Sequence, residues 1–229
     1  MIEAVLFDVD FTLALPGPEL GPEGYRHVGE RHGLALDPRR YDTARQDAIA
    51  ALQRDPEHVH DDEIWVAFTE RIVRGMGVDD LDAHAAAACA ADIVEAWELH
   101  DKFTLYEDAL PVLEELRSHR IKLGLVSNGS RDLDEFVEHH GLVVDVAIGS
   151  RAFGRTKPHP SIFREALAAL DVAPEAAAMV GDSFEDDIEG ARALGMRAFL
   201  LDREERYPDE PDRLTTLLAL PAALGLTAG

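Results

Sequence analysis

The chain has 229 residues, enough for one large domain or for a core with a smaller insert, and enough to bury a core without disulfides or structural zinc. Its 22 Lys and Arg face 45 Asp and Glu, a net charge of −23, which disfavours DNA, RNA and anionic lipid as partners. Hydrophobic residues make up 46%, too many and too well patterned for disorder.

Ala4 to Phe7 is a short apolar run ending at Asp8. It reads as a buried parallel strand. A loop with Pro16, Gly17, Pro18, Gly21 and Pro22 follows. From there to about Asp101 only helical patterns appear. Ile64, Phe68 and Ile72 form one stripe with Trp65 beside it, and Ala85, Cys89, Ile93 and Trp97 form another. Such stripes want neighbouring helices. Gly75, Gly77, Asp79, Asp80 and Asp82 supply the stop and start signals between them.

After Asp101 helix and strand alternate. Asp108 to His119 reads as a helix and Ile121 to Val126 as a strand, ended by Ser127-Asn128-Gly129. Leu133, Phe136 and Val137 line a helix closed by Gly141, and Val143 to Ile148 is a strand. Pro160 to Leu170 is a helix with proline in its first turn. Ala177 to Val180 is a strand ending at Gly181-Asp182. Asp187 to Leu194 is a helix closed by Gly195, and Ala198 to Leu201 a strand. The pattern predicts an α/β fold, a doubly wound parallel sheet of five or more strands. Residues 1–15 and 102–229 would form that core, and residues 16–101 an inserted all-helical domain.

Four polar clusters fall where strands end: Asp8 to Leu13, Ser127 to Gly129, Lys157-Pro158, and Gly181 to Asp187. In a doubly wound sheet they meet on one edge. Crowded carboxylates imply a bound cation, and all-oxygen ligands favour a hard ion such as Mg²⁺.

This set, in this order, resembles the haloacid dehalogenase-like hydrolase superfamily. The segment Arg155 to Phe163 and the run Gly181-Asp182-Ser183 through Gly190-Ala191 are especially similar to it, and the helical block resembles its inserted cap. The resemblance implies that Asp8 is a nucleophile forming an aspartyl-phosphate. Asp10 would be general acid and then base. Thr12 would hold the loop, and Lys157 would neutralise charge. Ser127, Asn128 and Gly129, with Lys157, would grip the phosphate. Asp8, the backbone carbonyl of Asp10, Asp182 and Asp187 would hold Mg²⁺, with Asp186 as a further candidate. Phe11 departs from the pattern, since the family often has glycine there; its bulk would narrow the cavity near the cap.

Other polar residues have plainer readings. His58, His60, Asp61 and Asp62 read as the polar start of a helix. His139 and His140 read as surface residues near a helix C-terminus. Trp65, Phe68 and Trp97 read as core packers rather than a stacking platform for substrate. Cys89 reads as a small buried hydrophobe. Asp186 reads equally as a solvated first-turn residue. Tyr25, Arg26, His27, Arg45 and Arg54 are candidates to select substrate from the cap.

The leading function is then a Mg²⁺-dependent phosphatase of a small phosphorylated metabolite. A 2-haloacid dehalogenase is disfavoured by Asp10 and by the acidic site, which halide loss does not need. A phosphomutase stays open, because water exclusion by the cap decides it. A non-enzymatic phosphoacceptor would be shorter and lack the insert, and a silent binding module would be expected to lose Asp8, Asp10 or Lys157. A lone cysteine, a start with no signal peptide and no long apolar run lead to an expected cytoplasmic monomer or homodimer, with no nucleic-acid or membrane partner.

Overall fold

The structure is a computed structural model, and it describes residues 1–54, 57–61, 63–78 and 82–226. Asp62, Asp79 and Asp80, singled out above, lie outside the described residues. The strands are β1 (Ala4–Phe7), β2 (Ala14–Pro16), β3 (Phe103–Leu105), β4 (Lys122–Ser127), β5 (Val146–Gly149), β6 (Ala177–Gly181), β7 (Arg197–Leu201) and β8 (Arg213–Leu214). The first helices are α1 (Pro22–Arg31), α2 (Tyr41–Leu52), α3 (Ile64–Gly75) and α4 (Ala83–Glu98). After β3 come α5 (Ala109–Ser118), α6 (Leu133–His139), α7 (Ser150–Phe153) and α8 (Pro160–Leu170). A π-helical turn over Phe184–Glu189 runs into α9 (Gly190–Arg192), and α10 (Leu220–Ala223) follows β8.

Six strands form one parallel sheet in the order β5-β4-β1-β6-β7-β8. The chain builds leftward from β1 through β4 and β5, then returns to add β6, β7 and β8 on the right. The strand order therefore reverses at β1, where such folds place their ligands. Phe7 lies opposite Leu125 in β4 and Val180 in β6, so Asp8, Asn128 and Asp182 leave the sheet along the same edge.

Every residue of β1 and β6 is buried, because helices cover both faces. That explains their unbroken apolar runs. Val5 and Phe7 pack with Val112, Leu113 and Leu116 of α5, Phe136 of α6, and Leu217 and Leu220. Ala4 and Leu6 point the other way, onto Ile162, Phe163 and Leu167 of α8, with Ile188 and Ala191. Pro160 starts α8, and the His159 ring accepts from the Ser161 N–H at 3.3 Å. Truncating Phe163, which has no exposed surface, to alanine costs about 3–5 kcal/mol.

Helices α1 to α4 hold a separate core that includes Tyr25, Tyr41, Ile72, Met76, Cys89 and Ile93. The short antiparallel ribbon of β2 and β3 brackets this block. Burial pushes the Cys89 thiol up to about 11, as its reading as a buried hydrophobe requires.

Some boundaries differ from the sequence reading. The strand expected from Val143 starts only at Val146. Val143 is exposed. Asp145 takes up the backbone between them, its N–H donating to Leu123 O at 2.8 Å and its carboxylate accepting from Leu123 N–H at 2.7 Å. The helix expected from Asp187 begins earlier, at Phe184, because the Ser183 hydroxyl caps it by accepting from Asp186 N–H at 3.2 Å.

His58 and His60 do not begin a helix. They belong to an extended strap to the core: Val59 bridges Arg155, and Thr156 N–H donates to His58 O at 2.8 Å. The His60 ring lies 2.9 Å from the Ser150 hydroxyl. His139 is exposed, but His140 is half-buried against Phe136, with ring centroids 4.3 Å apart.

Candidate active site

The first residue past β1 is Asp8, whose N–H still donates to Val180 O at 2.9 Å. The chain then turns sharply. Leu13 and Ala14 both donate their N–H to Val9 O, at 2.8 and 2.9 Å. Phe11 takes the left-handed conformation with φ 62°, a strained state for a bulky side chain. Asp8, Asp10 and Phe11 all line one cavity of about 190 Å³.

Lys157 is the electrostatic centre. Only 3% of it is exposed, and its Nζ donates to Asp8 Oδ1 and to Asp187 Oδ1, each at 2.6 Å. Burial alone would lower its pKa. The charges of Asp187 and Asp8 outweigh that and hold the ammonium far above its usual range. Asn128 fixes the lysine backbone on both sides. Its Oδ1 accepts from Lys157 N–H at 2.7 Å and its Nδ2 donates to Lys157 O at 3.1 Å. The Lys157–Pro158 peptide is cis.

Asp187 is 1% exposed. Its Oδ2 accepts from Ser183 N–H at 3.1 Å, and a Cβ on Gly181 would collide with its carboxylate. Glycine at the end of β6 thus lets this side chain lie against the backbone. Asp8, Asp182 and Asp187 each offer a carboxylate oxygen, all within 4.8 Å of one another. Burial, and then the charges of Asp8 and Asp187, raise Asp182 well above the carboxylate range. Burial likewise raises Asp187, against the pull of Lys157. One ammonium cannot balance three carboxylates at this range. A hard divalent cation fits both the oxygen donors and the charge deficit.

The Asp10 side chain stands outside that group and pairs with Arg131. Burial raises the Asp10 pKa, and Arg131 partly reverses the shift. Thr12 is fully buried; its hydroxyl has no hydrogen-bond partner among the described residues, and its carbonyl accepts from Arg203 Nη2 at 3.0 Å. Ser127 is buried at the end of β4 and is not part of the cavity wall. Asn128 and Gly129 are, although the Gly129 N–H already donates to the Ser150 hydroxyl at 3.1 Å. Asp186 also lines the cavity rather than facing solvent, and burial pushes it up to about 6.

The opposite wall comes from the helical block. Tyr25, Tyr41, Ile49, Trp65, Phe68 and Trp97 line it. Trp65, Phe68 and Trp97 are therefore not simply core packers, as their stripes implied. A stripe records which helix face is covered; whether a neighbour or a cavity covers it depends on the packing. Arg45 also lines the cavity, its guanidinium 5.1 Å from the Phe11 ring centroid. Phe11 thus occupies the wall between core and helices. Arg26 points elsewhere, to Glu23 at 2.8 Å, to Glu30 and to His27. Arg54 donates to Ala50 O at 2.8 Å and is absent from the wall.

The sequence reading overlooked Arg131. Its one legible signal was a cation four residues past Ser127, on a loop following a strand end, in a chain with only 22 basic residues.

The model of the haloacid dehalogenase-like hydrolase family matches residues 2–195. A phosphoserine phosphatase of Thermus thermophilus is 35% identical over 76% of this chain and 65% of its own. A glyceraldehyde 3-phosphate phosphatase of Methanopyrus kandleri is 32% identical over 92% of this chain and 88% of its own. Among solved structures, a HAD phosphatase from Thermococcus onnurineus superposes with a TM-score of 0.66, at 29% identity and 98% coverage of both chains. A family match across most of the length, on a sheet beside whose carboxyl edge Asp8, Asp10, Lys157, Asp182 and Asp187 gather at one cavity, identifies the chain as a member of the haloacid dehalogenase-like hydrolases.

Proposed function

We propose that this hydrolase is a Mg²⁺-dependent phosphatase that cleaves a small phosphorylated metabolite through an aspartyl-phosphate. The observation that carries this reading is the placement of Asp8. Its carboxylate is held by Lys157 at 2.6 Å inside a group of three carboxylates, with Asp10 on the same cavity. That is a nucleophile, a fixed cation, a metal-binding set and a proton donor in one place.

Asp8 attacks phosphorus, and the bond to the leaving oxygen breaks. Asp10 gives its proton to that oxygen. Water then attacks phosphorus in the aspartyl-phosphate, Asp10 takes the water proton, and phosphate leaves Asp8. Asp8, Asp182, Asp187 and the Asp10 carbonyl would hold Mg²⁺, which when bound supplies charge neutralisation at the phosphoryl oxygens. Lys157 neutralises Asp8 and the incoming phosphate. Asn128 acts by fixing Lys157, and the 128–131 loop contributes backbone donors.

The helical block, residues 16–101, acts as a cap over the leaving group. Its aromatic side chains and Arg45 form the far wall of the cavity. The cavity volume, about 190 Å³, lies below the roughly 300–1,000 Å³ of pockets for drug-sized ligands, which favours a short phosphomonoester. The named relatives act on phosphoserine and glyceraldehyde 3-phosphate, substrates of that size class. Among the described residues no helix is long and apolar enough to cross a membrane.

The test is phosphate release from para-nitrophenyl phosphate and from a panel of short phosphorylated acids, sugars and aldehydes, with Mg²⁺ and with chelator. Release that needs the metal is the expected result. Undiminished release in chelator overturns the mechanism, and halide release from a 2-haloacid without metal would make the chain a dehalogenase.

A further inference from the structure

The Arg131 side chain has no part in the mechanism above, yet the fold keeps it at a high electrostatic price. It is 4% exposed. Its Nη2 donates to Asp10 Oδ1, while Nε and Nη1 are buried without a hydrogen-bond partner among the described residues. Buried donors left unmatched are destabilising, so a native one asks for a reason.

The guanidinium is also clamped. Its central carbon lies 3.9 Å from the Phe103 ring centroid and 5.0 Å from that of Phe136. Phe103 is in β3 and Phe136 in α6, both anchored in the main core. The loop carrying Arg131 is pinned as well. Ser130 O accepts from Arg151 Nη1 at 2.7 Å, and Gly129 N–H donates to Ser150 Oγ. A planar cation packed into the corner of two rings set at 81° to each other is restricted in the orientation with which it meets a carboxylate. One Asp10 oxygen is therefore occupied, which leaves the other to face the cavity that both residues line.

We infer that Arg131 is a positioning residue for proton transfer: it holds Asp10 by one oxygen so that the other meets the leaving oxygen of the substrate. The inference rests on the acid role proposed for Asp10. It concerns this chain's own loop, since none of the four strand-end clusters contains the arginine. An arginine that merely tied the loop to β1 would affect every substrate alike. One that orients the acid matters most where the leaving group needs a proton.

The test compares para-nitrophenyl phosphate, whose leaving group departs readily as an anion, with phenyl phosphate, whose leaving group does not. Arg131→Met is expected to lower kcat/KM, which reads the leaving-group step and not the later hydrolysis of the aspartyl-phosphate, by about a hundredfold on phenyl phosphate and by less than about threefold on the nitrophenyl ester, the range of an impaired general acid. Arg131→Lys keeps the charge but not the stacked fork, and is expected to restore only part of the loss. Phe103→Leu leaves the arginine in place and loosens its clamp. It should show the same pattern more weakly, which covers the case in which Arg131→Met does not fold. In an Asp10→Asn background, Arg131→Met should add almost nothing.

Equal losses on both esters, or a full additional loss in the Asp10→Asn background, overturn the inference. Equal losses of kcat/KM on both esters for Asp10→Asn itself would instead overturn the acid role, and the positioning role with it.

Discussion

Two of the charge clusters held inside the described residues differ in a way that shows what separates a working site from a structural joint. In one, Asp108 meets Arg203 through both oxygens, at 2.8 and 2.9 Å. It also accepts from the Thr216 hydroxyl at 2.7 Å and from Leu217 N–H at 3.0 Å. The Arg203 guanidinium stacks on Tyr106 at 3.9 Å. Burial would raise Asp108, but these donors outweigh it and hold the carboxyl below its usual range. In the other cluster, Asp8, Asp182 and Asp187 share a single lysine. There the carboxyls of Asp182 and Asp187 lie above their usual range. The first cluster is balanced in charge. The second keeps a negative surplus that a cation and a phosphoryl group can use.

The comparison is broken first at Asp8. Asp8→Asn should lower phosphate release by at least about 10⁴-fold, as loss of a nucleophile does, and abolish the aspartyl-phosphate seen by mass spectrometry after acid quench. Because it removes one charge from a crowded group, it should not lower the melting temperature. A destabilised Asp8→Asn would mean that the two clusters are alike.

Asp108→Ala should do the reverse. Leaving the half-buried Arg203 without its carboxylate costs about 3 kcal/mol, read from denaturant unfolding, while activity per folded molecule changes little. The Asp108 contribution should also have a definite pH signature. A depressed folded pKa gives stability that is present above the unfolded value, about 3.9, and is lost as pH falls through the folded one.

Asp186 should show the opposite sign. Its folded pKa, about 6, lies above its unfolded value. The metal-free protein therefore loses stability as pH rises from the unfolded pKa, about 4, through the folded one. Asp186→Asn should stabilise the metal-free protein at neutral pH, by at most about 3 kcal/mol for a shift of about two units. That gain should vanish below about pH 4. A gain that is the same at all pH values would place its origin elsewhere than in charge.

The smallest effect sharpens the comparison at its centre. Mg²⁺ at about a hundredfold over its Kd should stabilise the protein by about 2.7 kcal/mol, read as a rise in melting temperature. Asp182→Asn should remove most of that rise, and Asp108→Asn none of it.

Much of this was readable before folding. The unbroken runs of β1 and β6 announce strands buried on both faces, and the polar residues after them announce the site. Asp8, Asp10, Lys157, Asp182 and Asp187 do gather at one cavity. Other features were not readable. Val143 has strand chemistry, yet Asp145 delays the start of β5. Trp65 and Phe68 sit on a helical stripe, but the stripe faces a cavity. His58 and His60 resemble a helix start and form a strap to the core instead.

The reason is range. Strand runs, turn chemistry and caps act over a few neighbouring residues, so the sequence by itself determined the α/β rhythm, the strand ends and the acidic identity of the site. What Arg131 touches depends on Asp10, Phe103 and Phe136, which lie 121, 28 and 5 positions away along the chain. Only the tertiary structure decided that pairing, the aromatic wall opposite Asp8, and the contrast between the two buried clusters. Electrostatic balance is a sum over groups brought together in space, and local sequence carries no record of that sum.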